Sequence, residues 1–173
     1  RKIEIEIASY PNAFRSLLQN NTLFDSSSSS SAQVLYIQEK KLYLKRAPKG
    51  KLLREVKMGE YFHSIGLGAE ILSYLSDQED WLLSKAVDGD DCCCPLYLRE
   101  PKKLSILLGE SLRALHQLPT WNCPIINRNE EYLSSVEEGY AKGRFDPSYL
   151  LAEERGLCQN EVISYIRKRK KYL

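Results

Sequence analysis

Lys41-Leu42-Tyr43-Leu44-Lys45-Arg46 alternates polar and apolar side chains with period two, and ten residues after Lys45 comes Glu55, in Leu52-Leu53-Arg54-Glu55-Val56. The alternation predicts a strand that carries Tyr43 and Lys45 on one face, and the second stretch opens a helix. Two positions along a strand span roughly 6.5 to 7 Å, so an aromatic ring and an ammonium group stand side by side there.

Outward from this strand, the pattern stays extended on both sides. Upstream, Pro11 to Gln19 puts Phe14, Leu17 and Leu18 at helical spacing behind a proline suited to a first turn. Thr22-Leu23-Phe24 reads as a brief strand and Ala32 to Ile37 as a longer one, with Gln38-Glu39-Lys40 turning into the Lys45 strand. Downstream, Ala47-Pro48-Lys49-Gly50 breaks the strand. A helix from about Leu52 to Ser64 then presents Leu52, Val56, Gly59 and His63 on one stripe, His63 serving as a packing or capping group. Glu70 to Tyr74 gives a fourth strand, Asp77 to Asp80 a turn, and the continuous run Trp81 to Val87 a buried fifth strand.

From Lys102 the period becomes helical. Leu104, Leu107, Leu108, Leu112, Leu115 and Leu118 follow one face of a helix from Lys103 that Pro119 stops. Asn129 to Lys142 is a second such helix, with Leu133, Val136 and Tyr140 inward, and Asn160 to Lys171 a third, with Val162, Ile163 and Ile166. Sheet first and helices after is an α+β order. An antiparallel five-stranded sheet with one helix after its third strand is the N-terminal lobe of the protein-kinase-like fold. The chain then divides into a lobe of residues 1–87 and, over 88–173, a hinge at Val87-Asp88-Gly89 followed by an incomplete helical lobe.

In that fold, a strand lysine paired with a glutamate on the next helix holds the α- and β-phosphates of ATP, and Tyr43 would lie about where the adenine ring sits. Between two strands of the same meander stand six consecutive serines, Ser26 to Ser31. At a hairpin tip, small residues let backbone N–H groups approach phosphate oxygens, and hydroxyls add donors. An idle polar loop is the other reading of the same run, and both stay open on the residues alone.

The composition bounds the alternatives. A chain of 173 residues, 43% hydrophobic and 28% charged, has ordinary globular usage. Its net charge of +2 depends on one run, Arg167-Lys168-Arg169-Lys170-Lys171, at the end of a helix, where cations face the negative end of the helix dipole. Without that run the chain is mildly acidic, and no basic face with interleaved aromatics points to nucleic acid. No run of about eighteen apolar residues points to a membrane span, and the alternating Arg1 to Ile7 is no signal peptide, so a soluble cytoplasmic protein is expected. The five cysteines, Cys92-Cys93-Cys94 among them, lack ligand spacing for zinc and read as reduced thiols. Asp88-Gly89-Asp90-Asp91 lacks the spacing and later glutamate of a calcium loop and reads as a solvated turn.

Leu42-Tyr43-Leu44-Lys45, Arg54-Glu55, the run Trp81 to Gly89, Leu112-Arg113-Ala114-Leu115-His116-Gln117-Leu118-Pro119 and Asn122-Cys123-Pro124 resemble the successive motifs of aminoglycoside 3′-phosphotransferases. These are antibiotic-resistance kinases, and the similarity runs in order from about Leu17 to Arg155. The resemblance implies that Lys45 binds the ATP phosphates and Glu55 orients it, and that Tyr43 stacks on adenine. It also implies that Ser29 and Ser30 position the β-phosphate, although six serines in a row depart from the family's mixed loop, and that the backbone of Lys85, Ala86 and Val87 forms the hinge that reads the adenine edge. Within Asp146 to Arg155, the carboxylates Asp146, Glu153 and Glu154 fall where the family faces its polycationic drug; surface helix charges are the other reading.

The family's general base is the aspartate of a His-Gly-Asp loop, followed by an asparagine and a later aspartate that bind magnesium. None of these motifs occurs here. The chain is therefore expected to be an N-terminal fragment whose catalytic base and magnesium ligands lie beyond Leu173, inactive alone and prone to aggregate, with ATP and a cationic aminoglycoside as partners of the whole. A kinase of the same fold for choline, a sugar or a macrolide, and a non-catalytic nucleotide-binding remnant, are the alternatives.

Overall fold

A computed structural model describes residues 1–118, 120–125 and 128–169, apart from the side chains of Asn129 and Glu130. The chain forms two compact units, Arg1–Pro124 and Ile125–Leu173.

The first unit is built on a fully antiparallel sheet of six strands, in the order β1-β2-β3-β4-β6-β5: β1 Lys2–Ile3, β2 Leu23–Asp25, β3 Gln33–Ile37, β4 Leu42–Pro48, β5 Ile71–Ser76 and β6 Glu79–Lys85. Five strands follow the pattern of the sequence. The sixth, β1, corrects the expected count: Lys2 pairs with Phe24 and Ile3 with Leu23. Its alternating pattern continues past the pairing: Ile3, Ile5 and Ile7 pack against the core although the strand ends at Ile3 and a 3-10 turn follows at Ile7–Ser9.

Helix α1, Asn12–Leu18, lies on one face of this sheet. Phe14 and Leu18 join Tyr10, Leu23, Leu35, Ile37, Leu42, Leu44, Trp81 and Leu83 in the main core. Helix α2, Leu53–Ser64, covers the other face, where Leu52 and Val56 pack with Ala47 and Leu82. The period of two in β4 makes the division: Leu42 and Leu44 go to the α1 side, Ala47 to the α2 side. Tyr43 and Lys45 share the α2 side with Ala47, which is how a strand residue and a helix residue come to face one another.

Both ends of β4 and both ends of β6 differ from expectation. Ala47 and Pro48 extend β4 rather than break it; proline is tolerated at the strand's last position, and the turn falls on Gly50, whose φ of +80° suits glycine. Lys41, expected to begin the strand, instead closes the preceding turn with φ +52°. Glu79 and Asp80, expected in a turn, belong to β6, which ends at Lys85 rather than Val87. A polar start hid that strand, because Asp80 is buried on hydrogen bonds rather than on apolar contact.

His63 bonds beyond the end of α2 rather than capping it: its Nδ1 lies 3.2 Å from the Gly68 carbonyl oxygen. A methyl group on Gly68 would stand 2.9 Å from Phe62 Cβ and 3.1 Å from the His63 backbone nitrogen. Gly68→Ala should therefore destabilise the first unit by about 1 to 3 kcal/mol, since backbone has to move to make room. Thermal unfolding followed by circular dichroism checks this; an unchanged midpoint would mean that the α2–β5 turn yields freely.

After β6 come a short helix α3, Pro95–Leu98, not foreseen in the sequence, and α4, Pro101–His116. The leucine stripe of α4 stays open: Leu107, Leu112 and Leu115 are 57%, 54% and 39% exposed. The expected stop at Pro119 lies outside the described residues. In the second unit, α5, Asn129–Ala141, packs with α6, Gln159–Arg169, where Val162 is buried and Arg167 ion-pairs with Glu137. Lys170 and Lys171 of the basic run lie outside the described residues. No helix among the described residues is long and apolar enough to cross a membrane.

Candidate functional site

Register decides what stands beside Lys45. Across the sheet, Lys45 is opposite Val34 of β3 and Leu82 of β6, while Tyr43 is opposite Tyr36 and Ser84. The lysine rises between apolar neighbours, and its side chain is only 27% exposed. Glu55, in the first turn of α2, meets it: Lys45 Nζ donates to both carboxylate oxygens, at 3.0 and 2.7 Å. This two-point geometry fixes the ammonium more tightly than a single contact would.

The pair lines a groove of about 570 Å³, together with Ser30, Ser31 and Lys51. The serine loop is closed at its base: Ser26 N donates to the Val34 carbonyl, Val34 N donates to Ser27 Oγ, and Ser27 N donates to Asp25 Oδ1. Those bonds from Ser27 hold the Asp25 carboxyl below its usual range. At the tip, the hydroxyls of Ser29 and Ser31 are 2.8 Å apart. Of the two serines singled out in the sequence, Ser30 reaches the groove wall and Ser29 bonds to its neighbour Ser31, which does.

Tyr43 does not stand alone. Its ring lies 4.9 Å from that of Tyr36, and Tyr36 lies 6.4 Å from Phe24, so three strands contribute an aromatic ladder to the same face. The sequence carried the signal for Tyr36. A turn spanning Gln38 to Lys41 sets Ile37 opposite Leu42 and hence Tyr36 opposite Tyr43. Lys51 and Ser31 had no such signal, because their place depends on how the β4–α2 loop and the serine loop fold back.

At the hinge, two amides are already committed. Lys85 N donates to the Glu70 carbonyl at 2.9 Å and Ala86 N to the Lys41 carbonyl at 2.8 Å. Side chains reinforce both links: Lys85 pairs with Glu70, holding that carboxyl below its usual value, and Lys41 pairs with Asp88, which raises the lysine above its own. Val87, 71% exposed, is the hinge position that neither bond uses.

The acidic candidates belong to the second unit. Asp146 caps a 3-10 turn, Pro147–Tyr149, by accepting from Ser148 N at 2.8 Å, which lowers its carboxyl below the usual value. Glu153 and Glu154 stand in a second such turn, Ala152–Glu154, with Glu153 exposed. Among the described residues no group of three or more His, Cys, Asp or Glu side chains could hold a metal ion, and all five cysteines are free thiols.

Known proteins resemble this chain in sequence and in fold. The chain is 41% identical over 140 residues to a probable aminoglycoside 3′-phosphotransferase of Lactococcus lactis. In three dimensions it matches an aminoglycoside phosphotransferase of Streptomyces rimosus with a TM-score of 0.67 at 19% identity, over 96% of this chain and 63% of that one. The fold is that of the aminoglycoside phosphotransferases. A crystal structure of a type VIII aminoglycoside-3′-phosphotransferase matches with a TM-score of 0.64 at 20% identity, over 84% of this chain and 56% of that one. The Streptomyces rimosus enzyme in complex with ADP and streptomycin matches with a TM-score of 0.64 at 19% identity, over 98% of this chain and 63% of that one. No family model matches the chain. The resemblance to aminoglycoside 3′-phosphotransferases thus holds in sequence as well as in fold, and the chain spans 53% of the length of its Lactococcus lactis relative.

Proposed function

We propose that this chain is the nucleotide-holding part of an ATP-dependent kinase that transfers phosphate to a hydroxyl of an aminoglycoside. The observation that carries the reading is the Lys45–Glu55 pair, which has both carboxylate oxygens on one ammonium at the wall of the serine-lined groove. The relative's name and the ADP and streptomycin bound to the Streptomyces rimosus neighbour support it.

In this reading Lys45 neutralises the α- and β-phosphate oxygens, and Glu55 keeps the ammonium from wandering. Backbone and hydroxyl donors around Ser30 and Ser31 close over the β-phosphate, and Tyr43, buttressed by Tyr36, stacks on the adenine. With the Lys85 and Ala86 amides engaged, the purine edge is read at Val87. Asp146, Glu153 and Glu154 are the carboxylates that would meet ammonium groups of the drug. The described residues hold no cluster of three or more His, Cys, Asp or Glu side chains that could bind a metal ion. In our reading the general base and metal ligands belong to the part of the relatives' length that this chain does not span.

The test is to express the whole reading frame that contains this chain and measure transfer of the γ-phosphoryl group of ATP to kanamycin. Phosphorylated kanamycin, formed only with ATP, is the expected product. A full-length protein that leaves kanamycin untouched and phosphorylates choline or a sugar would overturn the drug assignment, and one without nucleotide-dependent activity would overturn the kinase.

A further inference from the structure

Asp80 is completely buried, the one charged residue in the described core. Its carboxylate collects donors from two segments, the β4–α2 loop and β5. Leu52 N donates to Oδ2 at 2.8 Å, Ser76 Oγ donates to Oδ1 at 2.7 Å, and the Gly50 backbone N–H and the Tyr74 hydroxyl add to these. Such a set favours the ionised form: burial pushes the carboxyl up, but the four donors outweigh it and hold it at about 2.

These contacts close a ring of structure around the proposed phosphate site. On β6, Asp80 stands opposite Ala47 of β4, and Lys45 is two residues back along β4 on the same face. From Asp80 the ring continues to the Leu52 amide, immediately before α2, whose first helical bond runs from Val56 N to the Leu52 carbonyl. Glu55 lies within that first turn, and its carboxylate returns to Lys45. Leu52 is itself buried against Ala47, Val56 and Leu82, so the loop has little freedom other than what the Asp80 bonds allow. No side chain of α2 caps its own N-terminus; the cap comes from across the sheet.

We infer that Asp80 is a positioning residue for the Lys45–Glu55 pair, fixing the start of α2 so that the Glu55 carboxylate meets the Lys45 ammonium in two-point contact. The pair's service to a phosphate rests on the nucleotide reading above; the link from Asp80 to the pair does not. An aspartate suits the task because both its oxygens accept. Asparagine keeps the shape but turns an NH2 group towards donors, so Asp80→Asn loosens the loop without emptying the site.

The experiment uses the chain labelled with 13C,15N-lysine, whose Cε and Nζ signals report on the ammonium without removing its donors, and Lys45→Arg assigns the Lys45 signal. In the wild type that signal should stand apart from those of exposed lysines, and Glu55→Gln should move it towards them. Asp80→Asn should move it at least halfway to the Glu55→Gln position, with no additional movement in the double variant, as expected of residues acting through one contact. Binding of a fluorescent N-methylanthraniloyl ATP should weaken by about tenfold in Asp80→Asn, the scale of a misplaced charge-assisted hydrogen bond, and no further in the double variant than in Glu55→Gln alone.

A folded Asp80→Asn chain whose Lys45 signal stays at the wild-type position would overturn the inference, since a merely structural aspartate would lower stability and leave that signal alone. Should Asp80→Asn not fold, Ser76→Ala removes one donor only: a smaller shift in the same direction supports the inference, and no shift overturns it. A wild-type chain that ignores the ATP analogue, while its Lys45 signal still responds to Asp80→Asn, would sink the nucleotide reading and leave the positioning role standing.

Discussion

Lys45→Ala should lower ATP-dependent phosphorylation of kanamycin by the complete protein about 10²- to 10³-fold, the usual cost of removing one preorganised donor from a developing charge. The same substitution should change unfolding free energy by less than about 1 kcal/mol, because a partly exposed ion pair contributes little to stability. Both halves follow from the geometry. The Lys45 and Glu55 side chains are 27% and 47% exposed, so a Glu55 carboxylate left alone is solvated rather than stranded. The apolar stem of Lys45 lies between Val34 and Leu82, which still pair with the β4 backbone after truncation. Glu55→Gln should fall between wild type and Lys45→Ala, since the ammonium remains but is no longer held at two points. Steady-state rates at saturating ATP, set beside a urea titration of the same variants, test the pair of statements. A large stability loss with a modest rate loss would mean that Lys45 is a packing residue whose likeness to a phosphate-binding lysine is accidental.

The sheet was legible in the sequence because most of its strands bury one face or both, so that period two or an unbroken apolar run marks five of the six. Leu42 and Leu44 announce β4, and Trp81-Leu82-Leu83 announces β6. What the pattern missed was held by polar contacts. Glu79 and Asp80 read as turn residues because Asp and Glu are rare in strands, yet Asp80 is satisfied by Ser76 of the paired strand and by Leu52 of a loop that no local rule brings to it. β1 was missed because its two residues gain their place from pairing with β2 rather than from propensity. The same distinction runs through the site. Lys45, Glu55 and Tyr43 were readable from strand and helix phase and from resemblance. Tyr36 needed only the hairpin register, whereas Lys51 and Asp80 depend on tertiary folding of the β4–α2 loop. The open stripe of α4 could be found in the sequence but not its exposure, since periodicity says which residues share a face and nothing about what covers it.

Trp81→Ala should be the most damaging single truncation in the first unit, costing about 3 to 5 kcal/mol. Trp81 is 4% exposed, and its ring lies 5.2 Å from that of Tyr10 and 6.2 Å from that of Phe14, so it joins α1 and the segment before it to the sheet. The Arg46 guanidinium stands over the ring at 5.2 Å, itself held by Glu79 at 2.7 Å, which closes the edge of the core with a charge rather than a side chain that could collapse inward. Truncation therefore leaves a cavity that neighbours on β4 and β5 are poorly placed to fill. A domain whose whole stability is about 5 to 15 kcal/mol has little to spare, and the uncovered leucines of α4 contribute nothing to offset the loss. Because Trp81 points to the α1 side and Lys45 to the α2 side, the damage should appear first at α1. Hydrogen exchange should show Phe14 to Leu18 losing protection before Val56 does, and Trp81→Phe should recover more than half of the unfolding free energy. A Trp81→Ala chain that unfolds within about 1 kcal/mol of wild type would be incompatible with a cavity of this size, and would mean that α1 docks without the indole.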